Sequence, residues 1–361
     1  MILLRAPRVF ALAALSALLA AAPHPGVAQN KPAYEAILER EHPALYDLLI
    51  RVERAHGIMF GGLALEGEAV RASADTLPTF GFELDMVERL TALVSEEGRA
   101  DHAAAEAVAG FGVLGERGAA VIARANAFHR EVLGILSDAS VSTFNERRLA
   151  VDAAVQRYRT EPEIAVPSAP KDMDILYDHS QALAFRTGYA DLDGLIWAGH
   201  WLKLAATEPL TDIADPDRRA LGIDTVTTRY HLKLSYGDPP QFFPSELPMA
   251  PAISPGMIFM SAEAAMIWDN VSMMQEVLAD ILASPRVTDL KGAIDLTIEH
   301  FTDPNFRMQD QGYWEIMALR HGIFFQGGYP LAYRAESELN VGGHAAHLGG
   351  GGNLIIGGMP G

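Results

Sequence analysis

Residues 172–207, DMDILYDHSQALAFRTGYADLDGLIWAGHWLKLAAT, constrain this chain more than any other stretch. Apolar residues fall on every side of it, so it reads as a pair of buried helices. Yet it also carries Asp178, His179, Asp191, Asp193, His200 and Lys203. Groups of this kind lose much of their hydration on burial unless they are paired, hydrogen-bonded or bound to a metal. A fold that buries this pair must bring partners to it from elsewhere in the chain.

The chain opens MILLRAPRVFALAALSALLAAAPHPGVAQN. Arg5 and Arg8 form a basic start, residues 9–22 an apolar centre, and Gly26-Val27-Ala28 a small-residue cleavage site. This pattern predicts a secretory signal peptide over 1–28 and an exported, periplasmic or secreted protein. The apolar run falls short of the ~20 residues of a transmembrane helix. No later segment is long and charge-free enough to cross a bilayer, so no stable membrane insertion is expected after cleavage.

The chain has no cysteine, which excludes disulfides, thiol catalysis, iron–sulfur clusters and covalently attached haem. Its stability must come from packing, and with 49% apolar residues it can build a large core. The formal charge is -18, and loss of Arg5 and Arg8 with the leader makes it two charges more negative. Nucleic acid is thereby excluded as a partner, because polyanions need a basic face.

The periodicity predicts a mainly α fold, a multi-helix bundle in two layers or subdomains with a small β element near 225–236. Helices are expected at 43–55, 83–97, 102–111, 116–137 and 145–158, with Pro43 at a helix start and Gly57 ending the first. Gly61, Gly62 and Gly67 then mark a loop. The three prolines of 161–170 suggest a linker at 162–170. It would separate an N-terminal helical subdomain, 29–161, from a C-terminal one, 171–335. In the central pair Asp172 caps the first helix, Thr187-Gly188 breaks it, and the second runs over 191–208.

Over 225–236, Val226, Thr228, Tyr230, Leu232, Leu234 and Tyr236 alternate with polar residues. That period of two predicts a strand, paired with 256–260 or 353–356, inside a proline-rich insertion at 222–260. Ser261 is expected to cap a long helix to residue 283, with shorter helices at 289–301 and 309–325. The glycine-rich tail, 336–361, is expected to be flexible.

Several residues could carry chemistry. His200 lies seven residues after Asp193 on one helix face, with Trp197 and Trp201 beside it. The functional reading is a histidine in an apolar pocket, Asp193 supporting it and the two indoles lining a cofactor site. A core histidine bonded to a carbonyl or to Asp193 explains the same pattern. His179 lies on the preceding segment and could face His200 or lie far away. His56 and His321 share an echo, HGIMFGG and HGIFFQGG, which suggests two imidazoles at equivalent helix ends or simply two helix caps. Candidate metal ligands are therefore His56, His179, His200, His321 and Asp193.

Other signals are weaker. The pairs Glu39/His42 and Glu53/His56 have a di-iron-like spacing but lie on one segment. Six methionines between Met249 and Met274 suit copper(I) or an irregular core. His344 and His347 in the tail could bind a metal loosely, and acidic pairs such as Asp295/Glu299 and Asp269/Glu276 could serve acid–base work. His-Glu-x-x-His, Gly-x-Ser-x-Gly and the glycine motifs of nucleotide sites are absent, so no nucleotide cofactor is expected. The Gly-x-His-x-x-Glu signature of imelysin-like periplasmic proteins is also missing from AGHWLKLAATE around His200, so no family is assigned.

Three functions fit. The first is an exported helical protein binding a transition metal, non-covalent haem or small ligand between helices. The second is a non-catalytic binding or scaffold protein with structural histidines and a protein partner. The third is a hydrolase using acidic residues.

Overall fold

A computed structural model of the chain describes residues 33–72, 80–95, 110–211, 215–235 and 247–325, apart from the side chains of residues 72, 80, 235 and 320–325. The helices are α1 (Ala33–Glu41), α2 (Pro43–Ala72), α3 (Phe80–Ser95), α4 (Gly115–Ser137) and α5 (Phe144–Tyr158). They continue with α6 (Ala184–Gly188), α7 (Ala190–Ala205), α8 (Thr207–Thr211) and α9 (Pro216–Ser235). The last four are α10 (Ala250–Ile253), α11 (Pro255–Ala283), α12 (Leu290–Thr302) and α13 (Gln311–Phe325). The fold is mainly α. Among the described residues the β structure amounts to an isolated bridge between Lys171 and Met308.

The bundle is organised around α11, which packs against α2, α4, α5, α6, α8, α10 and α12. It is apolar on nearly every face, so it can only be stable inside. All six methionines from Met249 to Met274 are buried here and fill the core. Ser261 has extended backbone angles (φ -160°, ψ 98°), and its Oγ accepts the Ala264 N–H at 3.4 Å, so it caps the second part of the helix as expected. Thr143 and Glu146 form a full capping box at the start of α5.

The strand expected at 225–236 is a helix through Ser235, and the strand partner proposed at 256–260 lies in α11. Ile223, Val226 and Tyr230 are buried at helical spacing, whereas Leu232 is 40% exposed. The hydroxyls of Thr225 and Thr227 bond the carbonyls of Leu221 and Ile223 one turn back, which lets β-branched residues sit within the helix. The alternative partner at 353–356, the tail and its His344 and His347 lie outside the described residues, as does most of the helix expected at 102–111.

The loop expected around Gly61, Gly62 and Gly67 is also helix, because α2 runs unbroken from Pro43 to Ala72. Gly57 therefore does not end it. Two of these glycines serve close approach: a Cβ on Gly62 would collide with Met86 Cε of α3, and one on Gly67 with the Leu282 carbonyl of α11.

The first helix of the central pair is replaced by a 3-10 turn, Met173–Leu176, and turns leading to α6. The cause is Asp280 of α11. Its Oδ2 accepts the Leu183 N–H at 3.1 Å and its Oδ1 the Phe185 N–H at 2.7 Å. Leu183 is thereby held left-handed, at φ 69°.

The stretch 162–170 is docked on the core. Asn270 of α11 donates to the carbonyls of Pro167 and Ala169 at 2.9 and 2.8 Å and accepts the Lys171 N–H at 2.9 Å. The fully buried Lys171 ammonium then donates to the carbonyls of Asp303 and Phe306. This joins the stretch to the turn after α12.

Candidate functional site

His56 of α2 and His200 of α7 meet in the core. Their ring centroids are 5.1 Å apart and their planes 27° apart. The approach depends on Gly199, where a Cβ would stand 2.7 Å from His56 Cε1 and 3.0 Å from Val52 Cγ1. A third imidazole, His129 of α4, lies against Trp268 of α11 at 5.0 Å, edge to face. All three histidines are at most 3% exposed.

Each ring has one hydrogen bond, and that bond sets its tautomer. His56 Nδ1 donates to the Val52 carbonyl at 2.7 Å, and His129 Nε2 to the Lys203 carbonyl at 2.9 Å. His200 Nε2 donates to Gln275 Oε1 at 2.8 Å. The opposite nitrogens, His56 Nε2, His129 Nδ1 and His200 Nδ1, are buried without a hydrogen-bond partner. In neutral rings these carry lone pairs. Burial drives the pKa of His129 and of His200 down to about 3 and that of His56 well below the usual value. The Lys203 charge adds to this in all three, and His200 adds to it for His56.

Between α4, α7 and α11 lies a small cleft lined by Asn126, His129, His200, Lys203, Trp268 and Gln275. Its interior void is about 20 Å³, room for one water. Lys203 is partly exposed there, and its Nζ donates to Asn126 Oδ1 at 3.0 Å. Burial lowers its pKa, helped by Arg130 and opposed by Glu53. The Glu53 carboxylate is itself held by Arg130, which also bonds Glu35 at 3.0 Å.

Asp193 does not pair with His200. It hydrogen-bonds Glu276 of α11 in a second buried cluster with Arg186, Asp280 and His179. Burial raises the Asp193 pKa to about 7 against the pull of Arg186, and raises Glu276 well above the carboxylate range with Asp193 and Asp280 adding to it. Asp193 and Glu276 therefore titrate as a pair whose ionisation burial opposes. Arg186 Nε lies 3.3 Å from Glu276 Oε1, and its Nη2 3.3 Å from Asp280 Oδ2. His179 is in a turn, with Nε2 3.4 Å from Asp280 Oδ2.

The expected ligands thus divide into two places: His56 with His200, and His179 with Asp193 around Asp280. The side chain of His321 is not among those described. Among the described residues, no group of three or more histidine, aspartate and glutamate side chains is set to hold a metal ion. Trp197 and Trp201 face Lys233 of α9, whose Nζ is 5.3 and 4.6 Å from the ring centroids. Asp269 and Glu276, named as a pair for acid–base work, are both buried, and Asp269 accepts the Ala250 N–H at 3.0 Å. Glu53 serves Arg130 rather than a di-iron pair with His56.

Sequence reasoning missed His129 and Gln275 as site residues, and it named Glu276 only with Asp269, not with Asp193. A usable signal existed. Asn126, His129, Arg130 and Ser137 place polar groups along one stripe of the alanine-rich α4. In α11, Asp269, Gln275, Glu276 and Asp280 interrupt a run that is apolar all round.

No protein-family model, curated protein or solved structure matches the chain. Among the described residues, no helix is long and apolar enough to cross a membrane.

Proposed function

We propose that this is an exported helical binding protein that takes a small polar ligand into the cleft between α4, α7 and α11. The observation that carries the reading is the set of three buried imidazole nitrogens, His56 Nε2, His129 Nδ1 and His200 Nδ1, that lack a hydrogen-bond partner. Buried acceptors of this kind are costly to leave unmet, and two of the three rings line a cleft whose mouth Lys203 shares. A ligand with a proton donor or another electron-pair acceptor would satisfy those of the two lining rings, His129 and His200. Export is supported by the leader-like pattern of 1–28, and the strong negative charge argues against nucleic acid.

A second reading, a scaffold with structural histidines, draws on the one hydrogen bond each ring already makes and on the small size of the void. The two separate in protein purified from its native compartment. Native mass, elemental analysis and an absorption spectrum should reveal a bound species that is absent from His200→Ala. A metal-free, colourless protein at its bare mass would sink the binding reading and leave the scaffold.

A further inference from the structure

We infer that the Lys203 amine, at the mouth of the His129–His200 cleft, condenses with a small aldehyde or ketone to form an imine. The inference rests on the reading of the cleft as a ligand site and names the class of ligand it takes.

The geometry around the amine supports it. Lys203 Nζ bonds a neutral amide oxygen, Asn126 Oδ1, and among the described residues no carboxylate forms an ion pair with it. The carboxylate nearest in effect, Glu53, is committed to Arg130 from the same helix as Asn126. The groups facing the amine are Asn126, His129 and Arg130 of α4, Glu53 and His56 of α2, His200 of its own helix, and Gln275 of α11. Three of these are neutral imidazoles. The indole of Trp268 forms an apolar wall of the cleft. A lysine in such surroundings keeps a larger share of free amine, the nucleophilic form, than one in water. Burial acts in that direction here.

The cleft also supplies what the condensation needs next. The neutral amine attacks the carbonyl carbon, the C–N bond forms, and the carbonyl π pair moves onto oxygen. A proton passes from nitrogen to that oxygen, directly or through a water held in the cleft. The carbinolamine hydroxyl then takes up the proton still on nitrogen and departs as water while the nitrogen pair closes the double bond. The C–O bond breaks, the C=N bond forms, and one water leaves; no oxidant or reductant takes part. Neither of the other inward-facing lysines combines these features. Lys171 is saturated by carbonyls, and Lys233 lies over two indoles.

The test uses the full chain, acetaldehyde and sodium cyanoborohydride, with peptide mass analysis to place the reduced adduct. Lys291, 86% exposed and paired with Asp295, is the internal reference. At pH 7 Lys203 should be alkylated at least about tenfold faster than Lys291. Its rate should also rise at a lower pH than that of Lys291. Lys203→Arg should abolish the fast adduct and leave Lys291 unchanged. Equal or slower labelling at Lys203 overturns the inference. If a bound species that depends on His200 is nevertheless found in the native protein, only the carbonyl class is lost. If neither adduct nor bound species appears, the cleft reading falls with it.

Discussion

His56 stacks on His200 across a contact that only a glycine at 199 allows, with ring centroids 5.1 Å apart. A methyl group at 199 would reach 2.7 Å from His56 Cε1. Two effects oppose each other in Gly199→Ala. Alanine favours the helix by about 1 kcal/mol, while overpacking a tight core costs about 1–3 kcal/mol. A net loss of about 1 kcal/mol is expected. Denaturant unfolding should show a lower midpoint at unchanged slope. A midpoint at or above the wild-type value would show that the two helices are not in this contact.

The three imidazoles also set an acid limb of stability. Their folded pKa values lie below the unfolded value of 6.5, to about 3 for His129 and His200. Between those limits the unfolded chain binds protons that the folded chain refuses. Stability is therefore full above pH 6.5 and falls as pH drops toward 3, by about 1.4 kcal/mol per pH unit for each histidine. His200→Asn removes one such group, so its stability should fall less steeply between pH 6.5 and 4.5, by about one proton. Parallel profiles for the two proteins would mean that His200 is charged or solvated in the fold.

How much of this was legible in the sequence depends on distance along the chain. His56 and His200 were singled out by separate local cues, a helix-end echo and a polar residue in an apolar stretch, and they do meet. Local pattern also found most helices and the Ser261 cap. It failed where a distant residue decided the outcome. Asp280 takes two backbone N–H groups of 183–185 and prevents the expected helix, although it lies 97 residues from Leu183. Glu276 claims Asp193, so the correct spacing of Asp193 and His200 on one face led to the wrong partnership. Gly57 suggests a helix end and Gly61, Gly62 and Gly67 a loop, because a sequence does not show which neighbours will press against a glycine.

The carboxyl pair should give a slope of opposite sign. Glu276 has a folded pKa raised well above its ordinary value of 4.5 by burial, then by Asp193 and Asp280. Above pH 4.5 the folded chain keeps a proton that the unfolded chain releases, so stability contributed by this group falls as pH rises toward the folded pKa. Glu276→Gln keeps the shape and removes the titration. It should cost little at pH 5 and gain on wild type as pH rises through 7. A constant difference from pH 5 to 8 would show that Glu276 is ionised in the fold.

Lys233 offers a test of the indole pair that a cofactor reading would have claimed. Its ammonium lies 4.6 Å from the Trp201 centroid and 5.3 Å from that of Trp197. Burial lowers its pKa to about 8, with Arg229 adding to the shift. A double-mutant cycle of Lys233→Met and Trp201→Leu should return a coupling of about 1 kcal/mol at pH 6. That coupling should shrink above pH 8 as the amine loses its charge. A coupling independent of pH would mean that the contact is apolar packing by the lysine stem.

Asp280 is the residue on which the carboxyl cluster should depend most. It accepts the N–H groups of Leu183 and Phe185, an N–H of Arg186 at 3.3 Å, and faces His179 at 3.4 Å. Asp280→Asn retains the shape but turns one acceptor oxygen into a donor aimed at N–H groups, and takes from Arg186 one of its two carboxyl neighbours. Removing one partner of a buried charge costs about 3–5 kcal/mol. Because Glu276 can ionise and pair as a carboxylate with the Arg186 cation, the loss should fall toward the lower figure and come with a drop in the Glu276 pKa. Chemical denaturation with carboxyl NMR of labelled glutamate reads both. A loss below about 1 kcal/mol, with the Glu276 titration unmoved, would show that Arg186 does not rely on Asp280.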